Sequence, residues 1–559
     1  MERVGLDLLI IGAGPVGLTA ALEAKRHGLT VRIVDQKPAR STIGSRAMVV
    51  HSRVMELLEP NGSVVKKIRE ANSPVRQMKI HFDSDRNIMS QNWETVNWGD
   101  TKFPGMASLP QYDTERILEE EIVTTGGTIE YGVSIDHLSQ NQHGVSTTLK
   151  HVADGKLETV TSTFVLAADG GRSQTREMIG VNMHRSRSKI YFIVADLSFQ
   201  GANPIGSAKE MHIFPEGAGG FAFFFPLPKH NSFRVMFQTP KGMTNKSDVA
   251  LDKHFFESTL LEYLGKEFEV KLVGWQSIFE ITHGISETYR QGRVFLAGDA
   301  AHVHSPVRGQ GMNYGMQDAC NLIWKLAWVK RATDRAGTAA IADSSTDLIL
   351  QSYHEERHTT GNELVQNVGM VTWIITTRNP FVQMIRNTLM RWVFSAPDGD
   401  NVRRMGQLEL KYSHTPSRIL VRHSNHHASF FSRVWGWIFG SNKKKNYICQ
   451  PGERLPNLKL STGLKLHELV DRRRHTVLLL NLDAPQRSPG KDTMNMVGSV
   501  TPADTFQQVS EPPISGAALT TPQVVLVRPD LYVAAVGATM DELLWRLRET
   551  WDETMVTTM

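Results

Sequence analysis

At 559 residues the chain exceeds what one ordinary hydrophobic core holds, so two or three domains are expected. Apolar residues make up 40% and charged residues 21%, a soluble globular composition, and 62 basic against 57 acidic side chains leave a formal net charge of only +5. That small excess is scattered, which reads against nucleic acid as a partner. The two cysteines, Cys320 and Cys449, exclude a C-x-x-C redox pair, a cysteine metal cage and a disulfide-stapled secreted fold.

Met1 to Asp7 has no signal-peptide layout, and a cytoplasmic location is the expectation. Leu8 to Ile11 is an apolar strand. Leu18 to His27 is a helix stopped by Gly28, and Val31 to Val34 is a second strand, which together make a β-α-β unit. Ser73 to Phe103 is irregular and strand-like, Tyr112 to Thr124 helical, and Thr163 to Ala168 a buried strand. From about Lys189 to Thr282 the pattern is alternating strands, with aromatic runs at Ile213-Phe214 and Phe221 to Phe225. The parallel-strand pattern returns at Arg293 to Ala297, followed by a helix over Met312 to Lys330 and further helices to about Ser395. The apolar stretch Val371 to Phe394 is broken by Arg378, Pro380, Arg386 and Arg391, so it does not read as a membrane span. Near the end, Thr476 to Leu482 and Val524 to Val527 are strand-like and Asp541 to Thr550 helix-like. Ala484 to Leu519 reads as a long loop rich in Pro, Ser, Thr and Gly.

Three segments carry chemistry. Gly12-Ala13-Gly14-Pro15-Val16-Gly17 lies between the first strand and helix, with Asp35 ending the second strand. Such a turn brings backbone N–H groups and a helix N-terminus up to a pyrophosphate, and the acid can take ribose hydroxyls. By itself it does not separate FAD from NAD. Gly298-Asp299-Ala300-Ala301-His302 follows a strand, and an acid there can hold a polyol. Pro306-Val307-Arg308-Gly309-Gln310-Gly311-Met312-Asn313 then opens a helix whose first amides can stabilise negative charge. Asp169-Gly170-Gly171-Arg172-Ser173 follows a third strand; alone it is an ordinary turn.

In this order and spacing the three segments resemble the FAD-dependent aromatic hydroxylases, the family of p-hydroxybenzoate, phenol and polyketide hydroxylases. The likeness is strongest over Gly298 to Asn313 and on through Gln317-Asp318-Ala319 and Leu322 to Leu326. Gly44-Ser45-Arg46-Ala47 is similar to the family loop whose arginine lies near the flavin, and Leu109-Pro110-Gln111-Tyr112 to the segment whose glutamine contacts FAD. Pro451 to Pro456 and Val527-Arg528-Pro529-Asp530 resemble the thioredoxin-like appendage of the phenol and polyketide hydroxylases.

The resemblance implies an α/β fold with a Rossmann-like FAD-binding domain interrupted by a β-sheet substrate domain and followed by a thioredoxin-like domain. The expected division gives 1–75, 104–188 and 283–395 to the FAD domain with its associated helices. Residues 76–103 and 189–282 form the substrate sheet, 396–450 a linker and 451–559 the last domain. Noncovalent FAD is implied at Gly12, Gly14, Gly17, Asp35, Arg46, Gln111, Asp169, Gly298, Asp299, Pro306, Gly309, Gly311, Met312 and Asn313. The implied reaction uses NAD(P)H and O2 to hydroxylate a phenolic or related aromatic substrate through a flavin C4a-hydroperoxide. NADPH and NADH are not distinguished, no metal is implied, and a homodimer is compatible.

Arg308 departs from the glycine or alanine usual in the family and is the one catalytic candidate, toward a peroxide or an acidic substrate, against a solvent-facing reading. His51, Tyr191 and His212 could titrate near the substrate, while His302 and His304 suit packing. Phe214, Phe221, Phe223, Phe224 and Phe225 could roof a pocket, alternation allowing only some to face it.

The alternatives are decarboxylative hydroxylation, epoxidation or Baeyer–Villiger insertion on the same flavin, and a non-enzymatic Rab GDP-dissociation-inhibitor-like binding role. Phe430 to Phe439 with Lys443 to Lys445 raises contact with a membrane surface, against which a buried helix beside a basic turn is preferred.

Overall fold

In the computed structural model the described residues are 5–41, 47–82, 88–201, 203–207, 209–215, 220–240, 250–306, 309–336, 344–395, 400–420, 450–457, 465–473, 475–480, 506–511, 523–537 and 542–543. The chain opens with β1 (Leu6–Ile11), α1 (Pro15–Arg26) and β2 (Val31–Asp35), then β3 (Val49–His51), α2 (Ser52–Leu58), α3 (Val64–Ala71), β4 (Ser73–Pro74), β5 (Gln77–His81), β6 (Ile88–Asn92) and β7 (Met106–Ser108). Next come α4 (Gln111–Thr124), β8 (Ile129–Tyr131), β9 (Val133–Asn141), β10 (Gly144–His151), β11 (Leu157–Ala167), α5 (Gln174–Met178), β12 (Met183–Gln200), β13 (Glu210–Phe214), β14 (Ala222–Pro226), β15 (Ser232–Gln238), α6 (Lys253–Leu264) and β16 (Glu269–Ser286). The remainder is β17 (Arg290–Gln291), β18 (Val294–Leu296), β19 (His302–Val303), α7 (Gly311–Ala336), α8 (Ser344–Thr376), α9 (Pro380–Ser395), α10 (Asp400–Met405), β20 (His475–Leu480), β21 (Phe506–Glu511), β22 (Gln523–Val527) and β23 (Val533–Gly537).

The first sheet runs β17-β18-β11-β1-β2-β8, with β10 and β9 attached to β11. β8, β2, β1, β11 and β18 are parallel neighbours. Leu8, Leu9, Ile10 and Ile11, buried on both faces, make the near-continuous apolar run that a covered parallel strand needs. α1 packs on this sheet through Leu18, Ala20, Ala21 and Ala24, and α7 through Ala319, Leu322, Ile323 and Leu326.

A second sheet, β19-β16-β12-β15-β14-β13-β5-β6, is antiparallel except where β13 meets β5. Its long strands β12 and β16 run from its core to the edge of the first sheet, where β16 pairs with β19 in the Gly298–Val303 region. The alternation within β14 divides its phenylalanines. Phe224 joins Phe214 and α6 on one face, while Phe223 and Phe225 join Met236, Phe279 and Ile281 on the other. α6 interrupts the run of strands expected over residues 189–282, and its ends are well specified. Asp252 accepts the Phe255 N–H at 2.8 Å as N-cap, and Gly265 (φ 66°) closes the helix.

The last sheet is ordered β21-β20-β22-β23, with β20 parallel to β21 and antiparallel to β22. Second-first-third-fourth is the strand order of a thioredoxin-like domain. β21 corrects the expectation of one long loop over Ala484 to Leu519: Phe506–Glu511 is paired along β20. Such pairing supplies from another part of the chain what local composition does not. Most of the helix-like segment 541–550 lies outside the described residues. So do Cys449 and the aromatic-basic segment 430–445. No helix among the described residues is long and apolar enough to cross a membrane.

Candidate active site

The three sequence motifs converge on one cavity of about 1010 Å³ at the carboxyl ends of β1, β2, β11 and β18. Strand ends of an open parallel sheet are where such folds place ligands, because loops and helix N-termini meet there. Gly12 and Gly14 line the cavity together with Pro15 and Val16. Gly12 sits at φ 106°, and a Cβ on it would collide with the Ala168 carbonyl, so only glycine brings this turn against the end of β11. Gly17 lies behind, where a Cβ would collide with the Gly12 carbonyl. α1 starts with Pro15 and has no side-chain cap at Gly14 and no acid in its first turn. Its first amides therefore present an uncompensated positive end to the cavity.

Asp35 stands at the wall and accepts the Ala13 N–H and the Lys37 N–H, both at 2.8 Å. Gln111 also lines the cavity and donates its amide to Glu115 Oε1 at 2.8 Å, while burial raises the Glu115 carboxyl above its ordinary value. Asp169 takes the Thr175 N–H and hydroxyl on Oδ2, at 3.1 and 2.9 Å. Its Oδ1 is buried and has no protein partner.

At the other end, Asp299 projects into the cavity from a single turn of 3-10 helix, Gly298–Ala300. Gly298 itself lies behind this turn, where a Cβ would meet Val16 Cγ2 at 2.8 Å. Pro306, Gly309, Gly311 and Met312 also line the cavity, and α7 begins there with no acid in its first turn. A second helix N-terminus thus faces the cavity beside that of α1, where a Cβ on Gly315 would lie 2.7 Å from Val16 Cγ2.

Asn313 is placed differently from these. It is fully buried, accepts the His51 N–H and donates to the Val49 and Gly309 carbonyls, so it braces the loop from behind. Arg46 and Arg308 lie outside the described residues.

None of the three titratable candidates is in the cavity lining. His51 is buried with Nε2 3.1 Å from the Gly309 carbonyl. His212 is buried against His81, with 3.0 Å between ring nitrogens, and burial holds its pKa far below the ordinary histidine value. Tyr191 sits on β12 opposite Glu280. His304 does line the cavity. Its Nδ1 is 2.9 Å from the Ser305 carbonyl, and burial, then His302, pushes it down to about 4, so the ring is neutral.

Two supporting residues were not singled out from sequence. Arg176 on α5 donates to the Ala300 and Gly171 carbonyls and so ties the Asp169 loop to the Asp299 turn; an arginine seven residues beyond Asp169 was the available signal. Arg357, on α8 and in none of the motifs, holds Asp318 at 2.7 Å, and Asp318 in turn accepts the Gly298 N–H at 2.9 Å. Nothing in its spacing marks it.

The roof over the α7 end is apolar: Met48, Val49, Phe223, Phe225, Met236, Phe279 and Ile281. Phe223 and Phe225 stack with centroids 5.8 Å apart, and Phe221 meets Phe223 edge-on at 4.5 Å. The cavity therefore combines a polar part, the trough, with two helix N-termini and Asp35, Asp169 and Asp299, and a largely apolar part, the chamber, in which Glu280 and Thr282 also stand. The polar groups fit FAD: backbone amides donate toward a pyrophosphate, Asp35 and Asp299 can accept from hydroxyls, and an Asp169 oxygen without a protein partner stands in the wall.

The family described as FAD binding domain matches residues 5–368, and that described as aromatic-ring hydroxylase, C-terminal, matches residues 449–554. A 6-methylpretetramide 4-monooxygenase of Streptomyces rimosus is 32% identical over 383 residues, covering 68% of this chain and 64% of that protein. A 12-dehydrotetracycline 5-monooxygenase/anhydrotetracycline 6-monooxygenase of Streptomyces rimosus subsp. rimosus is 26% identical over 554 residues, 95% of each chain. In fold, the chain is similar to the flavin-dependent monooxygenase PieE in complex with FAD and substrate, with a TM-score of 0.75, 20% identity, and 98% and 99% of the two chains covered. The lining of the cavity and these matches agree: the chain belongs to the FAD-dependent aromatic-ring hydroxylases, a family of flavoprotein monooxygenases.

Proposed function

We propose that this protein hydroxylates a flat phenolic substrate, using FAD, NAD(P)H and O2. The observation that carries the reading is the joining, in one cavity, of the trough bearing Asp35 and Asp299 to the chamber walled by Phe223, Phe225, Met236 and Phe279. The relatives named for 6-methylpretetramide and anhydrotetracycline support a fused-ring phenol as the substrate class.

FAD bound in the trough supplies the redox chemistry, in which NAD(P)H and a proton reduce O2, one oxygen atom enters the ring and the other leaves as water. The chain's own residues bind, orient and shield. The α1 amides behind Gly14 take the pyrophosphate, Asp35 a ribose hydroxyl and Asp299 the ribityl chain. Gln111 and Asp169 hold the trough walls. The amides opening α7, with Gly309, Gly311 and Met312 around them, stabilise negative charge at the pyrimidine end, and Pro306 borders the chamber. The phenylalanine wall excludes water and aligns the ring face. In this reading residues 1–75, 104–188 and 283–395 form the flavin domain and 76–103 with 189–282 the substrate sheet. The test is a panel of mono- to tetracyclic phenols with NADPH or NADH, read by mass spectrometry. A product one oxygen heavier whose NMR spectrum shows a new ring hydroxyl supports the reading. A product of the same mass with oxygen inserted into a ring C–C bond, or one that has lost CO2, would replace hydroxylation by another oxygenation.

A further inference from the structure

Glu356 and Arg357 are neighbours on α8 that hold two different parts of the molecule, and both are fully buried. Glu356 takes the C-terminal domain. Arg528 Nη1 donates to its Oε1 at 2.6 Å and Nη2 to its Oε2 at 3.0 Å, with Lys325, Asn321 and Ser417 completing the shell at 3.0, 2.8 and 3.0 Å. Arg528 also grips Asp530, at 3.0 and 2.6 Å. Arg357 takes the flavin side. Its Nε donates to Asp318 Oδ1 at 2.7 Å and its Nη2 to the Tyr314 carbonyl at 2.9 Å. Asp318 Oδ2 in turn receives the Gly298 N–H at 2.9 Å and lies 2.8 Å from His302 Nε2.

One hydroxyl joins the two sides. Tyr412 Oη accepts Arg357 Nη1 at 3.0 Å and lies 3.4 Å from Asn321 Nδ2. The Tyr412 ring lies tilted by 36° against Tyr532 with centroids 4.3 Å apart, and the Tyr412 backbone N–H donates to the Gly452 carbonyl at 2.6 Å. Tyr412 is therefore held by the C-terminal domain while its oxygen satisfies the guanidinium that grips the Asp318 carboxylate. A buried cation with one donor left bare turns toward another acceptor, because an unpaired charge-bearing donor is costly away from water.

We propose that the C-terminal domain sets the position of the Gly298–Asp299 turn through the Tyr412 hydroxyl and Arg357, with Tyr412 a positioning residue for the bound flavin. The proposal rests on the FAD reading of the cavity. A second set of contacts between the domains provides the contrast. Arg454 pairs with Glu56 of α2 and with Asp100, and Asp100 accepts the Asn457 N–H; Asp100 itself makes no hydrogen bond or ion pair with Tyr412, Arg357 or Asp318.

The experiment compares the full-length wild type, Tyr412→Phe and Asp100→Asn. It measures the apoprotein melting temperature, the FAD dissociation constant by fluorescence quenching, and the midpoint potential of the bound flavin. Tyr412→Phe is expected to weaken FAD binding roughly fivefold, the scale of one lost hydrogen bond, and to shift the potential. Asp100→Asn is expected to lower the melting temperature while leaving both flavin readouts at wild-type values. Arg528→Lys, which keeps a charge but not the two-pronged grip, is expected to follow Tyr412→Phe and serves if that variant does not accumulate. Unchanged FAD affinity and potential in Tyr412→Phe and Arg528→Lys would overturn the proposal, as would equal weakening in Asp100→Asn. A wild type that takes up no FAD would instead fail the reading of the cavity.

Discussion

Asn313 Oδ1 accepts the His51 backbone N–H at 2.7 Å while Asn313 Nδ2 donates to the Val49 carbonyl, also at 2.7 Å. One amide thus pairs with both backbone groups at the end of β3, as a neighbouring strand would, and locks the Val49 wall of the chamber to the start of α7. Asn313→Ala leaves the Val49 carbonyl and the His51 N–H bare in a buried site. The apoprotein is expected to lose about 2 kcal/mol of stability, the scale of an unmet buried hydrogen bond. Urea unfolding measures it, and an unchanged midpoint would show that these groups find other partners.

Asp299 faces the trough at the end of a strand–turn that the rest of the protein already fixes. Asp299→Ala is expected to weaken FAD binding by about 1.5–3 kcal/mol, the range for hydrogen bonds to a charged group, with a smaller effect on apoprotein unfolding. FAD titration beside thermal melting separates the two. Equal FAD affinity in variant and wild type would remove Asp299 from the cofactor site.

Phe225 is partly buried, stacks on Phe223 and lines the chamber. Phe225→Ala is expected to raise KM for the aromatic substrate roughly tenfold, the scale of one lost aromatic contact surface. It is also expected to divert more NAD(P)H to hydrogen peroxide, since a loosely held ring leaves the chamber open to water. Steady-state kinetics with a peroxide assay reads both effects. A fall in kcat with KM unchanged would place Phe225 away from the substrate.

Buried histidines, among them His304, His467 and His475, make stability depend on pH. Burial holds His304 and His467 at about 4 and His475 at about 3, against an ordinary 6.5. The unfolded chain takes up these protons near pH 6.5 and the folded chain only near pH 4 or 3. The stabilisation they give is therefore whole above pH 6.5 and is lost as pH falls toward 4. Each contributes a slope of up to about 1.4 kcal/mol per pH unit in that window. Urea midpoints across this range should fall with pH, and His475→Gln should flatten the dependence. A midpoint constant between pH 6.5 and 4.5, within the same window, would contradict the assignment.

Much of the site was legible in sequence because its parts are local. Gly12 to Gly17 and Gly298 to Met312 each sit where a strand ends and a helix begins, so composition and spacing describe both the turn and what it presents. The residues that align those parts were not legible. Glu356 and Arg528 are 172 positions apart, and their meeting follows from the packing of the last sheet on α8. β21 was hidden for the same reason: Phe506–Glu511 lies in a polar stretch and becomes a strand by pairing with β20. α6 was different. Asp252 and Gly265 are proper start and stop signals, and the aromatic strand pattern around them masked a helix that local chemistry specifies.

The central claim, that the cavity at the N-termini of α1 and α7 is an FAD site, is tested most directly by titrating folded apoprotein with FAD and following the flavin spectrum. The account predicts saturation at about one FAD per chain, noncovalent and released on heat denaturation as a yellow supernatant. A folded protein that stays colourless and leaves the flavin spectrum unperturbed at every FAD concentration would contradict it.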